Sequence, residues 1–216
     1  MLTADLALIV ANARALVAPM SQSSSPPKSL RDWLHAGFRA IDRAWFRGRS
    51  TVRLAWARLL YPGLSIGRNV LVGPGVRFRV LNNATLRVGD GARIEARVEL
   101  HSDGMLTIGT DAFIGPGSII VAAERVDIGH DALIAAHVTI RDQDHRSEPG
   151  TPYRLQGLES APVRIGDNVW LGAGVVVVRG VSIGDHCVVG ANSVVTRSLP
   201  PGTRAVGAPA RPITDR

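Results

Sequence analysis

Large apolar residues recur every six positions between residues 66 and 195, and most are followed by a small residue. They form six groups of three: Ile66, Val72, Phe78; Val88, Ile94, Leu100; Ile108, Ile114, Ile120; Ile128, Ile134, Ile140; Ile165, Leu171, Val177; and Ile183, Val189, Val195. Apolar residues at a period of six would drift around a helix, but the period suits a short strand followed by a turn. The pattern therefore predicts an all-β fold of about six triangular coils, each with three short strands and inward-facing apolar residues.

The repeat is interrupted once by a long insertion. The first four groups begin 22, 20 and 20 residues apart and the last two 18 apart, but 37 residues separate Ile128 from Ile165. The insertion predicts a loop over 141–164 that is polar and rich in proline and glycine. Loops of this length within a compact repeat are usually functional.

The residues before the repeat have helical periodicity. From Ser29, apolar residues recur at steps of three and four, and a second short helix is expected before Pro62. Its apolar side is predicted to carry Val52, Ala55, Trp56, Leu59 and Leu60. We therefore divide the chain into a poorly ordered leader and linker (1–27), a basic amphipathic helical extension (28–61) and a β-helix domain (62–216). The extension and the tail after Leu199 are expected to cover the ends of the prism.

Composition and charge limit the class of protein. With 216 residues, 45% of them hydrophobic and 20% charged, the chain fits one ordinary domain with an appendage and is not a disordered protein. Its single cysteine, Cys187, excludes a disulfide scaffold and is expected to be a small core residue. The apolar run over 2–20 is interrupted by Asp5, Asn12 and Arg14, so it does not predict a membrane span. No basic segment precedes the run, which argues against a secretion signal. We expect a cytoplasmic protein.

The net charge of +7 is confined to one segment. Residues 28–68 contain nine cations and two anions, and the rest of the chain sums to zero. The charge therefore does not indicate a nucleic-acid partner. Two interpretations stay open for the extension: it binds an anionic membrane at the inner face, or its apolar stripe only covers the β-helix.

His145 is the strongest candidate catalytic residue in the insertion. Its neighbours Asp142 and Asp144 are carboxylates. With an ordinary pKa near 6.5, a histidine can take a proton from a hydroxyl at neutral pH and return it to a leaving thiolate. A carboxylate bonded to its second ring nitrogen would fix the tautomer.

Several stretches resemble the hexapeptide-repeat O-acetyltransferases, including maltose and galactoside acetyltransferases and those that modify surface polysaccharides. They are Val126–His145, Pro162–Gly174, Gly190–Arg197 and Val206–Arg211. The resemblance implies a left-handed parallel β-helix and a homotrimer with active sites between subunits. It also implies acetyl-CoA as co-substrate, with His145 as the general base for direct transfer.

The same resemblance implies roles for individual residues. The residues implied to contact acetyl-CoA are Ala173, Ala191, Thr196, Arg197 and Arg211. Trp170 is expected to wall the thioester pocket, and Glu159 to lie near the histidine. Asp142 and Asp144 compete with Glu159 as the group that orients His145. No metal is expected.

The chain departs from the sugar acetyltransferases at two positions. Gly115 and Ala122 stand where those enzymes hold acceptor hydroxyls with Asn and Asp. The expected acceptor is therefore a sugar of a surface polysaccharide or its precursor rather than a free galactoside or maltose. Three alternatives stay open: an antibiotic or amino-acid O-acetyltransferase, a γ-type carbonic anhydrase using His130, His137 and His145, and a scaffold without activity.

Overall fold

The computed structural model describes residue 48 and residues 50–81 and 83–213. The chain divides into two compact units, Met1–Arg49 and Ser50–Arg216. The predicted leader and linker, and the part of the predicted extension before residue 48, lie outside the described residues. All of the described residues except residue 48 belong to the second unit.

The second unit begins with a helix, α1, over residues 50–60 and continues as short strands. The strands are β1(Leu64–Ile66), β2(Leu71–Val72), β3(Arg77–Val80), β4(Thr85–Val88), β5(Arg93–Ile94), β6(Glu99–Ser102), β7(Met105–Ile108), β8(Phe113–Ile114), β9(Ile119–Ala122), β10(Arg125–Ile128), β11(Leu133–Ile134), β12(Thr139–Arg141), β13(Gln143–His145), β14(Leu158–Ser160), β15(Val163–Ile165), β16(Trp170–Leu171), β17(Val176–Val177), β18(Ser182–Ile183), β19(Val188–Val189), β20(Val194–Val195), β21(Arg204–Val206) and β22(Arg211–Pro212).

Three sheets of mainly parallel strands form the faces of a prism. Face one has the order β1-β4-β7-β10-β15-β18, face two β2-β5-β8-β11-β16-β19-β21-β22, and face three β3-β6-β9-β12-β17-β20. Only β22 is antiparallel to its neighbour in these faces. Each coil contributes one strand to each face. The backbone N–H and C=O groups of one coil therefore bond to the coils above and below it.

The register stacks the predicted apolar residues in three columns. On face two, for example, Ile94, Ile114, Ile134 and Leu171 are consecutive partners. Sixteen of the eighteen predicted inward residues are buried, while Ile66 and Phe78 of the first coil are partly buried and pack against the same core. Cys187 is fully buried. The predicted fold class is confirmed.

The structure adds a partial seventh coil to the six expected from the repeat. Leu199 pairs with Ile183 on face one, and Ala205 pairs with Val189 on face two. Both of these late residues are buried against the sixth coil. The tail after Leu199 therefore continues the prism for part of a turn.

Two corners of the prism are built from backbone in the left-handed region. The first corner has one such residue in each coil: Asn69, Gly91, Asp111, Asp131, Asn168, His186 and Gly202. The second corner likewise has Gly75, Arg97, Gly117, His137, Gly174 and Asn192. Gly, Asn and Asp tolerate this conformation best, which explains why they recur at these turns. At both corners one hexad separates consecutive core residues.

The third corner, between face three and face one, has no fixed length. Consecutive core residues on either side of this corner are only 4 positions apart at Val195 and Leu199, but 25 positions apart at Ile140 and Ile165, where the insertion lies. This insertion contains a hairpin, because β13 and β14 pair in an antiparallel two-stranded sheet. A single 3-10 turn, Tyr153–Leu155, lies near its tip. The expected loop over 141–164 thus contains regular structure.

Helix α1 packs on the first coil through a different side from the one predicted. Leu54 and Ala57 are buried in the core, and the Ser50 hydroxyl accepts a hydrogen bond from the Val72 amide at 2.7 Å. Arg53 and Arg58 donate to main-chain carbonyls of the first coil at 3.1 and 2.8 Å. These contacts leave the predicted apolar side, with Val52, Trp56, Leu59 and Leu60, exposed. The expectation that this stripe covers the β-helix was wrong for α1.

Candidate active site

His145 ends the first strand of the hairpin at the third corner. Its side chain is exposed, and its cross-strand partner in the hairpin is Leu158, which is also exposed. The His145 ring has no hydrogen-bond or ion-pair partner among the residues that the structure describes. An exposed imidazole with both nitrogens free can accept a proton from a ligand hydroxyl.

Asp142 fixes the root of this hairpin to the third coil. Its carboxylate is fully buried and accepts three main-chain N–H bonds of 2.7 Å, from Ala123 to Oδ1 and from Glu124 and Arg125 to Oδ2. Its own carbonyl accepts the Ala161 amide at 2.9 Å. Both carboxylate oxygens are therefore committed to the backbone. Asp142 does not orient the His145 ring in this structure, contrary to one of the sequence-based alternatives.

Asp144 and Glu159, the other two candidate carboxylates, share one partner. They are directly paired across the hairpin. The Arg179 guanidinium, from the corner of the fifth coil, donates through Nε to Asp144 at 3.0 Å and through Nη2 to Glu159. Neither carboxylate bonds His145. The structure thus brings the predicted residues together at one hairpin, but through Arg179 rather than through the histidine.

Arg179 was missed by the sequence analysis, although the repeat contains a signal for it. Asp142, Arg179 and Arg197 each stand two residues beyond stacked core residues of face three, Ile140, Val177 and Val195. In-register reading of the hexads therefore places an acid, an arginine and an arginine in one column beside the insertion. Such a column places Arg179 beside the root of the insertion, but it suggests an ion pair with Asp142, whereas the structure pairs Arg179 with Asp144 and Glu159.

The segment whose amides bind Asp142, residues 123–125, makes further polar contacts. Arg125 Nε donates to Asp127 Oδ2 at 2.6 Å, and this bond raises the pKa of the Arg125 guanidinium. The side chain of Ser160, at the end of β14, donates to Glu124 Oε2 at 2.8 Å. The surroundings of the hairpin root are therefore polar and internally paired.

The residues expected to contact acetyl-CoA are spread over several parts of the prism. Trp170 points outward from face two, where it is 49% exposed and pairs with Leu133. Ala173 and Ala191 are exposed at the second corner in neighbouring coils, and the Asn192 amide donates to the Ala173 carbonyl at 2.8 Å. No large side chain covers this edge at these two exposed positions.

The remaining predicted contacts are at the end of the prism. Thr196 and Arg197 follow β20 at the third corner, and both are exposed. Arg211 is exposed in β22, where its Nη1 donates to the Ala210 carbonyl at 2.9 Å. One chain therefore places His145, Thr196 and Arg197 at the third corner and Trp170, Ala173 and Ala191 on face two and the second corner.

The histidines of the fourth coil lie at three different corners. His130 is at the first corner, where its Nδ1 accepts the Thr110 amide at 3.0 Å, and His137 is at the second. His145 is in the hairpin at the third. Within the described residues, no group of three or more His, Cys, Asp or Glu is arranged to hold a metal ion.

Comparison with known proteins identifies the family. The family described as "Hexapeptide repeat of succinyl-transferase" matches residues 105–141 and 162–197. WbbJ of Escherichia coli (strain K12), named for O-acetyl transfer in lipopolysaccharide biosynthesis, is 35% identical over 62% of this chain and 74% of its own length. The chain therefore belongs to the hexapeptide-repeat acetyltransferase family.

A longer match is made with a protein of Mycobacterium tuberculosis (strain ATCC 25618 / H37Rv) named as an acetyltransferase. It is 34% identical over 76% of this chain, which spans 56% of the mycobacterial protein. Two solved structures have the same fold. AntD, an N-acyltransferase from Bacillus cereus in complex with dTDP and 3-hydroxybutyryl-CoA, has a TM-score of 0.63 at 25% identity over 74% of this chain and 88% of its own. A galactoside acetyltransferase in complex with coenzyme A has a TM-score of 0.50 at 25% identity, over 97% and 82%.

Proposed function

We propose that this acetyltransferase moves an acetyl group from acetyl-CoA to a hydroxyl of a sugar in a surface polysaccharide or its precursor. The observation that carries the proposal is the exposed, unbonded ring of His145 on a hairpin that both adjacent coils anchor. Relatives named for O-acetyl transfer in lipopolysaccharide biosynthesis and to polysialic acid support the acceptor class.

In this mechanism His145 takes the proton of the acceptor hydroxyl as its oxygen attacks the thioester carbonyl carbon. A backbone N–H stabilises the resulting oxyanion. The carbon–sulfur bond then breaks, His145 returns the proton to the sulfur, and the products are the acetyl ester and CoA. No residue is acylated. Asp142, Asp144 and Glu159 serve the reaction by fixing the hairpin.

Acetyl-CoA is proposed to lie along the second corner, with its thioester beside Trp170. Ala173 and Ala191 leave room for the pantetheine arm against exposed backbone, while Thr196, Arg197 and Arg211 provide donors for the phosphates. The relation to structures in complex with CoA or a CoA thioester supports this ligand.

A homotrimer with sites between subunits is the arrangement we propose for the assembled enzyme. In one chain the histidine and the alanines of the second corner are on different edges of the prism. A neighbouring copy would bring the third corner of one chain against the second corner of the next. Such a groove would also supply the concavity that a flat-faced prism lacks.

The central test is acetyl-CoA-dependent CoA release with a panel of acceptors: oligosaccharides, lipid-linked sugars, free galactosides, amino sugars, and hydroxyl-bearing antibiotics or amino acids. His145→Ala should abolish release while acetyl-CoA binding and the oligomer persist. The matched control is His186→Asn, because His186 is an exposed histidine of the first corner, where Asn occupies the same position in other coils. Turnover retained in His145→Ala would exclude the general-base mechanism, and transfer only to amines would replace the O-acetyl assignment.

We also propose that α1 contacts an anionic membrane at the cytoplasmic face. Its exposed apolar stripe includes Trp56 and Leu59, 61% and 74% exposed, in the segment that carries the net positive charge. Of the helices in the described residues, none is long and apolar enough to cross a bilayer. Co-sedimentation with anionic vesicles should fall in the Trp56→Ser/Leu59→Ser variant; equal binding would exclude this contact.

A further inference from the structure

Arg179 is the outermost link between the prism and the β13–β14 hairpin, which carries His145. The bonds of Asp142, Ser160 and Ala161 hold the hairpin at its root. Arg179 acts one residue pair further out, at Asp144 and Glu159, directly before the pair that contains His145. Beyond that pair, the hydrogen bonds seen in the hairpin join its own residues. For example, the Gln156 side-chain amide accepts from the Glu148 N–H and donates to the Glu148 carbonyl.

The geometry of Arg179 suits it to hold two strands at once. Its guanidinium fork has separate donors for the two carboxylates, and they belong to opposite strands of the hairpin. Arg179 is more buried than its partners, with 35% of its side chain exposed against 56% for Asp144 and 44% for Glu159. A planar, bidentate arrangement is more specific than a single exposed ion pair.

The alternation of side chains along a strand links this clamp to the histidine. Asp144 and His145 are consecutive in β13, so their side chains point to opposite faces of the two-stranded ribbon. When Arg179 draws Asp144 and Glu159 towards the prism, the ring of His145 is directed away from it. The bonds from Arg179 to Asp144 and Glu159 therefore fix how close the hairpin lies to the prism and which face of the hairpin carries the His145 ring.

We propose that Arg179 is a positioning residue that sets the place of the His145 ring through Asp144 and Glu159. The inference rests on the proposed role of His145 as general base. Loss of the clamp leaves the core and the hairpin root intact but lets the ring-bearing segment move. A base displaced by about 1 Å can reduce the rate of the chemical step by one to two orders of magnitude.

The first experiment measures how firmly the hairpin is held, without relying on activity. Full-length Arg179→Gln and Arg179→Lys are compared with the wild type by hydrogen–deuterium exchange of peptides that cover 143–160. The matched control is Arg77→Gln, which removes an exposed arginine bonded to Glu99 in the first two coils. We expect the fastest hairpin exchange in Arg179→Gln, an intermediate rate in Arg179→Lys and the wild-type rate in Arg77→Gln, with unchanged exchange in the core. Unchanged exchange in the hairpin would overturn the inference.

The second experiment measures kinetics with the best acceptor. Arg179→Gln should lower kcat about tenfold with little change in the KM for acetyl-CoA, and Arg179→Lys should recover part of the loss. The Asp144→Asn/Glu159→Gln double variant should reproduce the loss, and adding Arg179→Gln to it should cause no further fall. A larger fall in the triple variant, or normal kcat in Arg179→Gln, would overturn the positioning role. If instead His145→Ala stays active, the proposed mechanism fails, whereas hydrogen exchange still decides whether Arg179 holds the hairpin.

Discussion

Replacement of Asp142 by asparagine isolates the contribution of one buried carboxylate to the fold. The two side chains have nearly the same shape, but the amide has one acceptor oxygen and one NH2 group. If its oxygen occupies the Oδ2 position, it keeps the bonds from Glu124 and Arg125 and directs its NH2 at the Ala123 N–H. The substitution therefore loses one hydrogen bond, opposes two donors, and removes the charge from the other two bonds.

The size of the effect depends on the number and type of these bonds. A hydrogen bond to a charged group contributes about 1.5–3 kcal/mol and a neutral one about 1 kcal/mol, and a buried donor left without a partner costs a further ~1–3 kcal/mol. Because Asp142 is fully buried, water cannot easily replace the lost partner. We expect Asp142→Asn to lower the free energy of unfolding by about 3 kcal/mol, and Asp142→Ala by more.

The assay is urea denaturation followed by circular dichroism at matched protein concentration, since an oligomer's stability depends on it. Asp103→Asn is the control: Asp103 is an exposed acid at the third corner of the second coil. The control should unfold within about 0.5 kcal/mol of the wild type. Equal midpoints for Asp142→Asn and Asp103→Asn would refute the assignment of Asp142 as the anchor of the hairpin root.

Three further predictions concern the core, the acid response and the coenzyme site. Ile134→Ala should lower the free energy of unfolding by about 2–5 kcal/mol, because Ile134 is fully buried. The control, Leu133→Ala, should cost far less because Leu133 is 44% exposed, and urea midpoints compare the two variants. Hydrogen bonds from the Arg68 main-chain amide and side chain lower the pKa of Asp90. The Asp90 carboxylate therefore stabilises the fold at neutral pH, and this effect is lost as the pH falls through the lowered pKa. The difference in urea midpoint between the wild type and Asp90→Asn should vanish in acid. Arg197→Ala should raise the Kd for acetyl-CoA about tenfold in calorimetry, less at high salt, and an unchanged Kd would remove Arg197 from the site.

The fold could be predicted from the sequence because each coil repeats the same physical requirement. A core residue such as Ile134 must face inward in every coil, and a residue such as Asn168 must adopt the left-handed conformation at the turn, so both recur at a readable period. His145 is a candidate for the complementary reason, since it stands where that period breaks. The family and the class of reaction came instead from the resemblance of four stretches, Val126–His145, Pro162–Gly174, Gly190–Arg197 and Val206–Arg211, to known acetyltransferases.

The partners of the site residues could not be predicted in the same way. Whether Asp144 meets His145 or Arg179 depends on the pairing of β13 with β14, and no periodic signal marks that hairpin. The orientation of α1 was misjudged for a related reason. Its largest apolar side chains, including Trp56, suggested the buried side, but Leu54 and Ala57 allow closer approach to the first coil while Arg53 reaches a carbonyl there.

The unequal corners of the prism have a consequence for how such an enzyme changes during evolution. Two corners carry a left-handed residue three positions after the preceding core residue, so these corners have the same length in every described coil. The third corner accepts steps of very different length, and the strands after its hairpin resume in register, with Val163 beside Val126. The segment between β13 and β14, residues 146–157, could therefore change in length or sequence while His145 and the coils above and below keep theirs. The prism acts as a constant frame, and under the proposed function the choice of acceptor would depend on this one exchangeable segment.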